Sequence, residues 1–426
     1  MVTNQSQQAQ PASKAPLSPF ASPAQQPRGG ADPAVKARLA AFNKEYAELH
    51  SEPVQVPPKD PVWTLADIVG TPAVQTIQGT GQLSFHVVGD TGFDSFPCNS
   101  STGLPQWDKP NQSFETAQAA LLAKMIADTD PNHIERGPAF LLHLGDVNYY
   151  DNTRSGYAQQ FYEPFSNYGR KIIAIPGNHD MEVKISQQQF ACQEFLENFC
   201  GNVPWVPPAA QDIDPPREMV AQTGLYWRLD APFVQIVGLC TNVGEKAGVL
   251  RDQYAGPEQY AWFQSTLAAV AQQQRQAGSS RLALIVALHH PPYTGGYHQP
   301  SPQMSQDMDD AFRQAGVWPD AVLAAHDHLY ERYTRTVTIG GANVQIPYIV
   351  AGGGARFYSQ GGTRSGSVPA PIPGVQQNSM GNGNGYLVVT ASPTTLRFDY
   401  RAVDHLNQNA SEVVDLDIRT RKIQKS

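Results

Sequence analysis

The chain has 426 residues, of which 41% are hydrophobic, so it is long enough for one large domain or two ordinary ones with a sizeable core. Its formal net charge of −8 argues against a nucleic-acid partner, because phosphate backbones require clustered Lys and Arg. No apolar run is long enough to span a bilayer, so we expect no membrane partner either.

The N-terminal part differs in composition from the rest. Residues 1–31 are rich in Gln, Pro, Ser and Ala and predict a disordered polar tail. Residues 32–80 are expected to form a helix over 33–50, which docks on the main domain or binds a partner, and then a linker. The start shows no signal peptide, which predicts a cytoplasmic protein if Met1 is the native start and a secreted or periplasmic one if a signal peptide was removed.

From residue 82 onward, apolar runs and amphipathic segments alternate, and after residue 328 only strand patterns follow. The predicted strands are 83–89, 139–145, 171–175, 224–230, 233–240, 282–288, 320–325, 331–338, 343–350, 385–391, 395–401 and 412–417. The predicted helices are 114–129, 187–199, 257–273 and 303–315. This order predicts an α/β fold of two packed mixed β-sheets flanked by helices, an αββα sandwich over 81–418, with a basic tail at 419–426.

Three long loops interrupt the pattern, at 94–113, 201–222 and the Gly-rich 352–384. Loops of this length are usually functional, so we expect them to wall a pocket and to control substrate access.

The four cysteines are too few for a disulfide scaffold. Cys192 and Cys200 fall on one predicted helix, about 12 Å apart, which exceeds the reach of a disulfide unless the helix breaks. Buried or free thiols are therefore expected, and the absence of a Cys-x-x-Cys pair argues against cysteine metal ligation.

Five short blocks of metal-binding residue types follow apolar runs along the chain. They are Gly89-Asp90-Thr91-Gly92, Gly145-Asp146-Val147-Asn148-Tyr149, Gly177-Asn178-His179-Asp180, Val286-Ala287-Leu288-His289 and Ala325-His326-Asp327-His328. Because open α/β sheets place their ligands at the carboxyl ends of strands, we expect the five blocks to share one pocket.

The residue types in these blocks suit iron, manganese or zinc better than calcium. Asp90 and Asp146 end strands, and one of them can bridge two metal ions, unless both are ordinary turn aspartates. A phenol binds metal only where a strong Lewis acid removes its proton, so Tyr149 as a ligand implies Fe(III); the alternative is a core aromatic beside Tyr150. Asn178 can complete a ligand shell without adding charge.

The histidines divide into three groups. His179 is better suited to donate a proton than to bind metal. His326 and His328 would face the same side of an extended chain and reach one centre. His86 and His143 are expected to be core histidines with satisfied hydrogen bonds.

Taken in order, the five blocks resemble the calcineurin-like metallophosphoesterase superfamily over residues 82–335, and Tyr149 narrows the resemblance to the purple acid phosphatases. The resemblance implies a ferric site of Asp90, Asp146, Tyr149 and His328. It implies a divalent site of Asp146, Asn178, His289 and His326, with Asp146 as the bridge. His179 and His298 match the outer histidines of that family, and His290 is a further candidate.

The resemblance implies hydrolysis of phosphate monoesters by Fe(III) and a divalent metal (Fe, Zn or Mn) in a catalytic domain at 81–418. A metal-bound hydroxide would be the nucleophile, histidines would be the proton donors, and the optimum would be acidic. The substrate would be a small-molecule phosphate ester, and the oligomeric state stays open. Two alternatives are a phosphodiesterase acting on nucleotides or lipids, and a metal-binding adhesion or scaffold protein without turnover.

The sequence departs from the family pattern at two positions. Ala325 stands where the family usually has Gly, so the turn must accommodate a Cβ atom. Cys240 stands where relatives often have Asp, which could change contacts around the ligands.

Overall fold

A computed structural model describes residues 62–93, 112–149, 152–181, 192–241, 248–251, 257–298, 300–356, 372–403 and 411–424. The polar tail, the helix predicted over 33–50 and most of the loop at 94–113 lie outside these residues. In the described part of the chain, no helix has the length and apolar character needed to cross a membrane.

The described strands are β1 (Val62–Thr64), β2 (Leu83–Val88), β3 (Pro138–His143), β4 (Lys171–Ala174), β5 (Trp227–Asp230), β6 (Val234–Gly238), β7 (Ala283–Ala287), β8 (Ala321–Ala324), β9 (Leu329–Ile339), β10 (Ala342–Ala351), β11 (Val375–Asn382), β12 (Gly385–Ala391), β13 (Thr395–Ala402), β14 (Glu412–Asp417) and β15 (Lys422–Gln424). The described helices are α1 (Leu65–Val69), α2 (Thr71–Thr80), α3 (Gln112–Ala127), α4 (Arg154–Tyr157), α5 (Glu163–Phe165), α6 (Gln193–Phe199), α7 (Glu258–Ala277) and α8 (Pro302–Ala315). A π-helical turn at Ala158–Tyr162 joins α4 to α5.

The strands form two mixed sheets. One has the order β1-β5-β6-β7-β8-β10-β9-β11, and the other has the order β15-β14-β13-β12-β2-β3-β4. Each sheet contains a parallel part, which is β6, β7 and β8 in the middle of the first sheet and β2, β3 and β4 at one side of the second. Parallel strands lie side by side with their carboxyl ends at one edge, which is the geometry that collects residues from separate blocks.

Side-chain alternation divides the core into layers. On β7, Ile285 packs into the cluster between the sheets, whereas Leu284 and Val286 face the cluster beneath α7 and α8. On the other sheet, Phe85 faces inward, and Val88 joins the cluster that includes Leu121 of α3. Because these strands bury both faces, they appear in the sequence as continuous apolar runs. The result is the predicted layering of helix, sheet, sheet and helix.

The linker, the Gly-rich loop and the basic tail contain elements that the sequence did not predict. The expected linker ends in β1, α1 and α2, and β1 pairs in parallel with β5. β11 falls in the Gly-rich loop and pairs with β9, and β15 falls in the basic tail and pairs with β14. These strands are short or largely polar, so backbone pairing with a neighbour determines them more than their own pattern does.

The described cysteines match their expectation, whereas one predicted pocket loop lies partly elsewhere. Cys192, Cys200 and Cys240 form no disulfide, as expected, and Cys98 lies outside the described residues. The loop at 201–222 was expected to line the pocket, but its residues Arg217 and Glu218 lie elsewhere. These two residues bind Arg170 and Lys171 at the amino end of β4, which is the end away from the crevice.

Candidate metal centre

The centre lies where the carboxyl ends of the two sheets meet. The Leu144 carbonyl at the end of β3 faces the His289 ring after β7, with 2.8 Å between O and Nδ1. The amide of His326, which follows β8, donates to Asp90 Oδ2 at 2.9 Å. Each contact joins one sheet to the other. Residues 236 positions apart therefore share one crevice, as the strand-end argument predicted.

Asp90, Asp146 and His326 all have positive φ angles, of 59°, 53° and 69°. L-residues rarely adopt this conformation, and where it occurs it concentrates at functional sites. It turns the two carboxylates back over the strand ends. Burial raises the pKa of Asp90 well above its ordinary value, although His289 opposes this. Burial alone would also raise the pKa of Asp146, but the charge of His289 reverses the effect and holds it low.

The carboxylate of Asp180 supports the turn that carries Asp146. Its Oδ2 accepts the amides of Asp146 and Gly177, both at 2.8 Å, and its Oδ1 accepts the amide of Val147 at 3.1 Å. Burial raises the pKa of Asp180 to about 7. The sequence analysis quoted this residue in a block without giving it a role. Its position directly after two polar site residues was the available signal.

The phenol of Tyr149 faces the centre and not the apolar core. Its hydroxyl donates to Asp90 Oδ1 at 2.9 Å and lies 3.1 Å from His328 Nε2. Burial raises the pKa of Tyr149 well above 10, and the charge of Asp90 raises it further. The phenol therefore keeps its proton unless a strong Lewis acid lies beside it.

His289 presents one ring nitrogen to two oxygen atoms. Its Nδ1 must donate to the Leu144 carbonyl, so in the neutral ring Nε2 carries a lone pair. That Nε2 lies 3.2 Å from Asn178 Oδ1 and 3.4 Å from Asp146 Oδ2. Burial alone would lower the pKa of His289, but Asp146 overrides it and raises the pKa to about 9. A proton or a metal cation is needed between these three groups.

The two histidines of the H-x-H pair reach different parts of the centre. The positive φ of His326 shows that the pair sits in a turn, so the expectation of an extended segment was wrong. His328 Nε2 lies 3.5 Å from Asp90 Oδ1, whereas His326 groups with Asp146 and His289. One ligand atom from each of these last three residues lies within 4.8 Å of the others, so they could hold a metal ion.

His326 Nε2 and His290 Nε2 are buried ring nitrogens that have no hydrogen-bond partner among the described residues. Such orphaned atoms are costly in a folded protein unless an ion, a water or a ligand satisfies them. His290 packs 4.3 Å from the His326 ring, centre to centre, and contacts the Thr241 hydroxyl at 2.9 Å through Nδ1. The nitrogen sets of His289 and His326 thus fit a bound cation.

His179 and His298 lie beside different predicted ligands. The His179 ring lies 4.5 Å from the Tyr149 ring, and its amide donates to Asp146 Oδ1 at 2.8 Å. The half-buried His298 ring lies 4.0 Å from the His326 ring and 5.9 Å from the His328 ring. Burial lowers the pKa of both imidazoles, that of His179 to about 3. These two histidines, which were expected outside the metal-ligand shells, therefore lie next to predicted ligands.

The core histidines are placed as expected. His86 contacts the Tyr168 hydroxyl at 2.8 Å through Nδ1, and His143 contacts the Thr91 hydroxyl at 2.8 Å through Nε2. Both rings are fully buried with partners on each ring nitrogen.

Arg356 was not anticipated. It follows the Gly-rich run after β10, and its guanidinium carbon lies 4.2 Å above the Tyr149 ring and 5.2 Å from the Phe114 ring. Its side chain is only 3% exposed, so a full positive charge lies inside the crevice wall. The start of the loop at 352–384 thus lines the site, as expected. Arg356 stands two positions after Gly354, and no local pattern in the sequence shows that it folds over Tyr149.

Neither departure from the family pattern disturbs the centre. Ala325 is accommodated because residue 89 is a glycine. A Cβ atom added at Gly89 would lie 2.5 Å from the Ala325 Cβ, so only one of the two positions can carry a side chain. The backbone of Cys240 is held by Gln259, and its side chain packs with the cluster beneath α3.

Several solved structures are similar to this chain at low sequence identity. GAP50, the anchor in the inner membrane complex of Plasmodium, is 12% identical, with a TM-score of 0.47, covering 80% of this chain and 90% of that one. PhoD is 13% identical, with a TM-score of 0.43 and coverages of 81% and 71%. A dimetal phosphatase from Danio rerio is 10% identical, with a TM-score of 0.41 and coverages of 78% and 98%.

No curated protein matches the sequence. The family described as Calcineurin-like phosphoesterase does match, over residues 83–330, which is more than half of the chain and contains all five blocks. The family indicates a metal-dependent phosphoester hydrolase, and small phosphate esters are the substrates of that class. The chain belongs to the calcineurin-like phosphoesterase family.

Proposed function

We infer that this protein hydrolyses phosphate monoesters with a dinuclear centre of the purple acid phosphatase type. The observation that supports this most is the buried Tyr149 hydroxyl, held between Asp90 at 2.9 Å and His328 at 3.1 Å. A phenol fully buried between a carboxylate and an imidazole loses its proton only to a strong Lewis acid, and Fe(III) is the ion of this kind that proteins commonly hold.

The proposed ligands divide between two positions. Asp90, Asp146, Tyr149 and His328 would hold Fe(III), and Asp146, Asn178, His289 and His326 would hold the divalent ion, which is Fe, Zn or Mn. Mixed oxygen and imidazole ligands suit these metals. The short distances from His289 to Asn178 and Asp146, and the orphaned nitrogen of His326, support this division. When bound, the two ions would neutralise the charge of the ester and lower the pKa of a water nucleophile.

The residues of the chain that would move protons are His179, His298 and His290. Each lies beside a proposed ligand, and none is needed to complete a shell. A protonated imidazole can give its proton to the leaving oxygen as the P–O bond breaks. Because burial lowers the pKa of all three rings, a pH below the ordinary histidine range is needed to protonate them. This supports an acidic optimum.

The first test is the visible absorption spectrum of the purified protein beside elemental analysis for iron, zinc and manganese. A violet-to-purple band with iron present is expected, because phenolate bound to Fe(III) absorbs in the visible range. Tyr149→Phe should abolish the band. Tyr168→Phe is the matched control, since that buried tyrosine binds His86 away from the centre, and it should keep the colour. A colourless protein with two divalent ions would overturn the ferric assignment.

The second test compares a phosphate monoester with a bis-ester of the same alcohol. Faster hydrolysis of the monoester is expected. A preference for the bis-ester would replace the proposal with a phosphodiesterase, and bound metal without turnover of either ester would leave only a metal-binding role.

A further inference from the structure

The loop that carries His298 has no regular secondary structure of its own. It runs from Thr294 to His298, between β7 and α8, and brings the His298 ring to 4.0 Å from the ring of His326. A loop of this kind needs fixed contacts if a proton donor on it is to stay at one distance from the reacting atoms.

Asp327 supplies those contacts. Its carboxylate is fully buried, and its Oδ1 accepts the amides of Tyr297 at 2.8 Å and His298 at 3.0 Å. Its Oδ2 accepts the hydroxyl of Thr294. Bonds to an ionised carboxylate are about twice as strong as neutral ones. A single side chain therefore holds both ends of the loop.

The fit between Asp327 and the loop is close. A Cβ atom added at Gly296 would lie 2.5 Å from the carboxylate oxygen Oδ1, so the loop backbone passes directly over the carboxyl group. Asp327 also stands between His326 and His328 in sequence. The side chain that grips the loop thus extends from the same turn as two proposed metal ligands.

A second buried carboxylate holds the middle of the loop. Glu331, on β9, accepts the Gly295 amide at 2.9 Å through Oε1. The same oxygen accepts the Tyr333 hydroxyl and the Gln377 amide, each at 3.0 Å. Asp327 and Glu331 thus tie this loop to the chain segment that follows the metal-ligating pair.

We propose that Asp327 is a positioning residue that holds His298 at proton-donating distance from an ester bound at the centre. The proposal rests on the proposed function. As a water oxygen bonds to phosphorus and the ester's P–O bond breaks, the protonated His298 ring gives its proton to the leaving oxygen. The products are inorganic phosphate and the alcohol, the ring is left neutral, and the proton lost by the water passes to the solvent. Asp327 takes no part in this transfer and acts only by fixing the position of the His298 ring.

The test uses leaving-group dependence, which a purely structural role would not change. p-Nitrophenolate leaves without protonation, whereas the alkoxide of 2-glycerol phosphate requires it. Asp327→Ala and His298→Ala should each lower kcat about a hundredfold on 2-glycerol phosphate and less than about tenfold on p-nitrophenyl phosphate. The double variant should be no slower than His298→Ala alone, because both changes remove one function.

A milder substitution tests the same contact with less disturbance of the proposed metal ligands. Thr294→Val removes one donor to Asp327 without touching the turn of the ligands, and it should give a smaller loss with the same leaving-group dependence. Thr266→Val is the matched control, because Thr266 is buried on α7 among structural residues, and it should leave the ratio of the two rates unchanged. Metal content is measured for every variant.

Hydrogen exchange gives a reading that does not depend on activity. The Tyr297 and His298 amides should exchange faster in Asp327→Ala, while the amides of β7 keep their protection. Equal losses on both esters, or additive losses in the double variant, would overturn the positioning role while the phosphatase activity of the wild type stands. A wild type that hydrolyses neither ester would refute the proposed function itself.

Discussion

Buried carboxylates lie at both ends of strand β8, and their negative charge is compensated differently at the two ends. Asp320, at its amino end, is fully buried and accepts both terminal nitrogens of Arg281, at 2.7 and 2.8 Å, and the Leu284 amide at 2.9 Å. Arg421 adds a second cation, with 3.1 Å between its Nε and Asp320 Oδ1. At the carboxyl end, Asp90 and Asp146 are equally buried and their negative charges repel each other. His326 Nε2 has no hydrogen-bond partner there among the described residues.

The difference shows what each cluster is for. A buried carboxylate needs compensating charge. At Asp320 the chain supplies that charge itself, which fastens the C-terminal segment to the sheet. At the crevice the carboxylates lie mainly against imidazoles, which can be neutral, so a cation from solution can supply the missing charge. Four substitutions or conditions test this contrast.

The largest effect is expected for Asp146→Asn. The change removes the proposed bridge between both metal positions, so metal content should fall and turnover should drop on the order of a thousandfold, which corresponds to several kcal/mol of lost charge stabilisation. Elemental analysis and steady-state kinetics measure the two outcomes. Full activity with full metal would refute the bridging role.

Asp320→Asn should do the reverse. Removing one partner of a buried ionic cluster leaves two arginines without their counter-charge, and the free energy of unfolding should fall by about 3 kcal/mol. Metal content and kcat of the folded fraction should stay at the wild-type level, since Asp320 lies at the opposite end of β8 from His326. A loss of metal in this variant would mean that the two ends of the strand are coupled.

A smaller effect is expected for Arg356→Gln. The guanidinium places a positive charge over Tyr149, in the wall of the crevice, so its loss should raise KM for an anionic ester about tenfold, or about 1.4 kcal/mol. Arg397→Gln is the matched control, because Arg397 pairs with Asp415 in an exposed contact on β13. An unchanged KM in Arg356→Gln would show that this charge does not reach the substrate.

The smallest effect concerns pH. Burial alone would raise the pKa of Asp320, but Arg421 and Arg281 outweigh it and hold the pKa below its ordinary value. The folded state therefore favours the ionised form, and this stability is complete above about pH 4 and is lost as the pH falls through the folded pKa. The stability gap between wild type and Asp320→Asn should narrow below about pH 4 in urea titrations. A gap that widens there would contradict the cause given for the shift.

The sequence predicted the regular part of the fold well because β2, β7 and β8 bury both faces and show it as apolar runs. It missed β11 and β15, whose residues are mostly half-buried or exposed and whose strand form depends on pairing with β9 and β14. It also missed Arg356, since nothing local shows that a residue after a Gly-rich run folds back over Tyr149.

The sequence by itself determined the family, the two-sheet architecture and the set of polar residues that end the strands, because these depend on residue type, spacing and order. Only the tertiary structure decided how those residues face one another. The turn at His326, the grip of Asp327 on the loop of His298 and the position of Arg356 all arise from contacts between segments far apart in the chain. Local propensities carry no record of such contacts, since they form only when the two sheets pack.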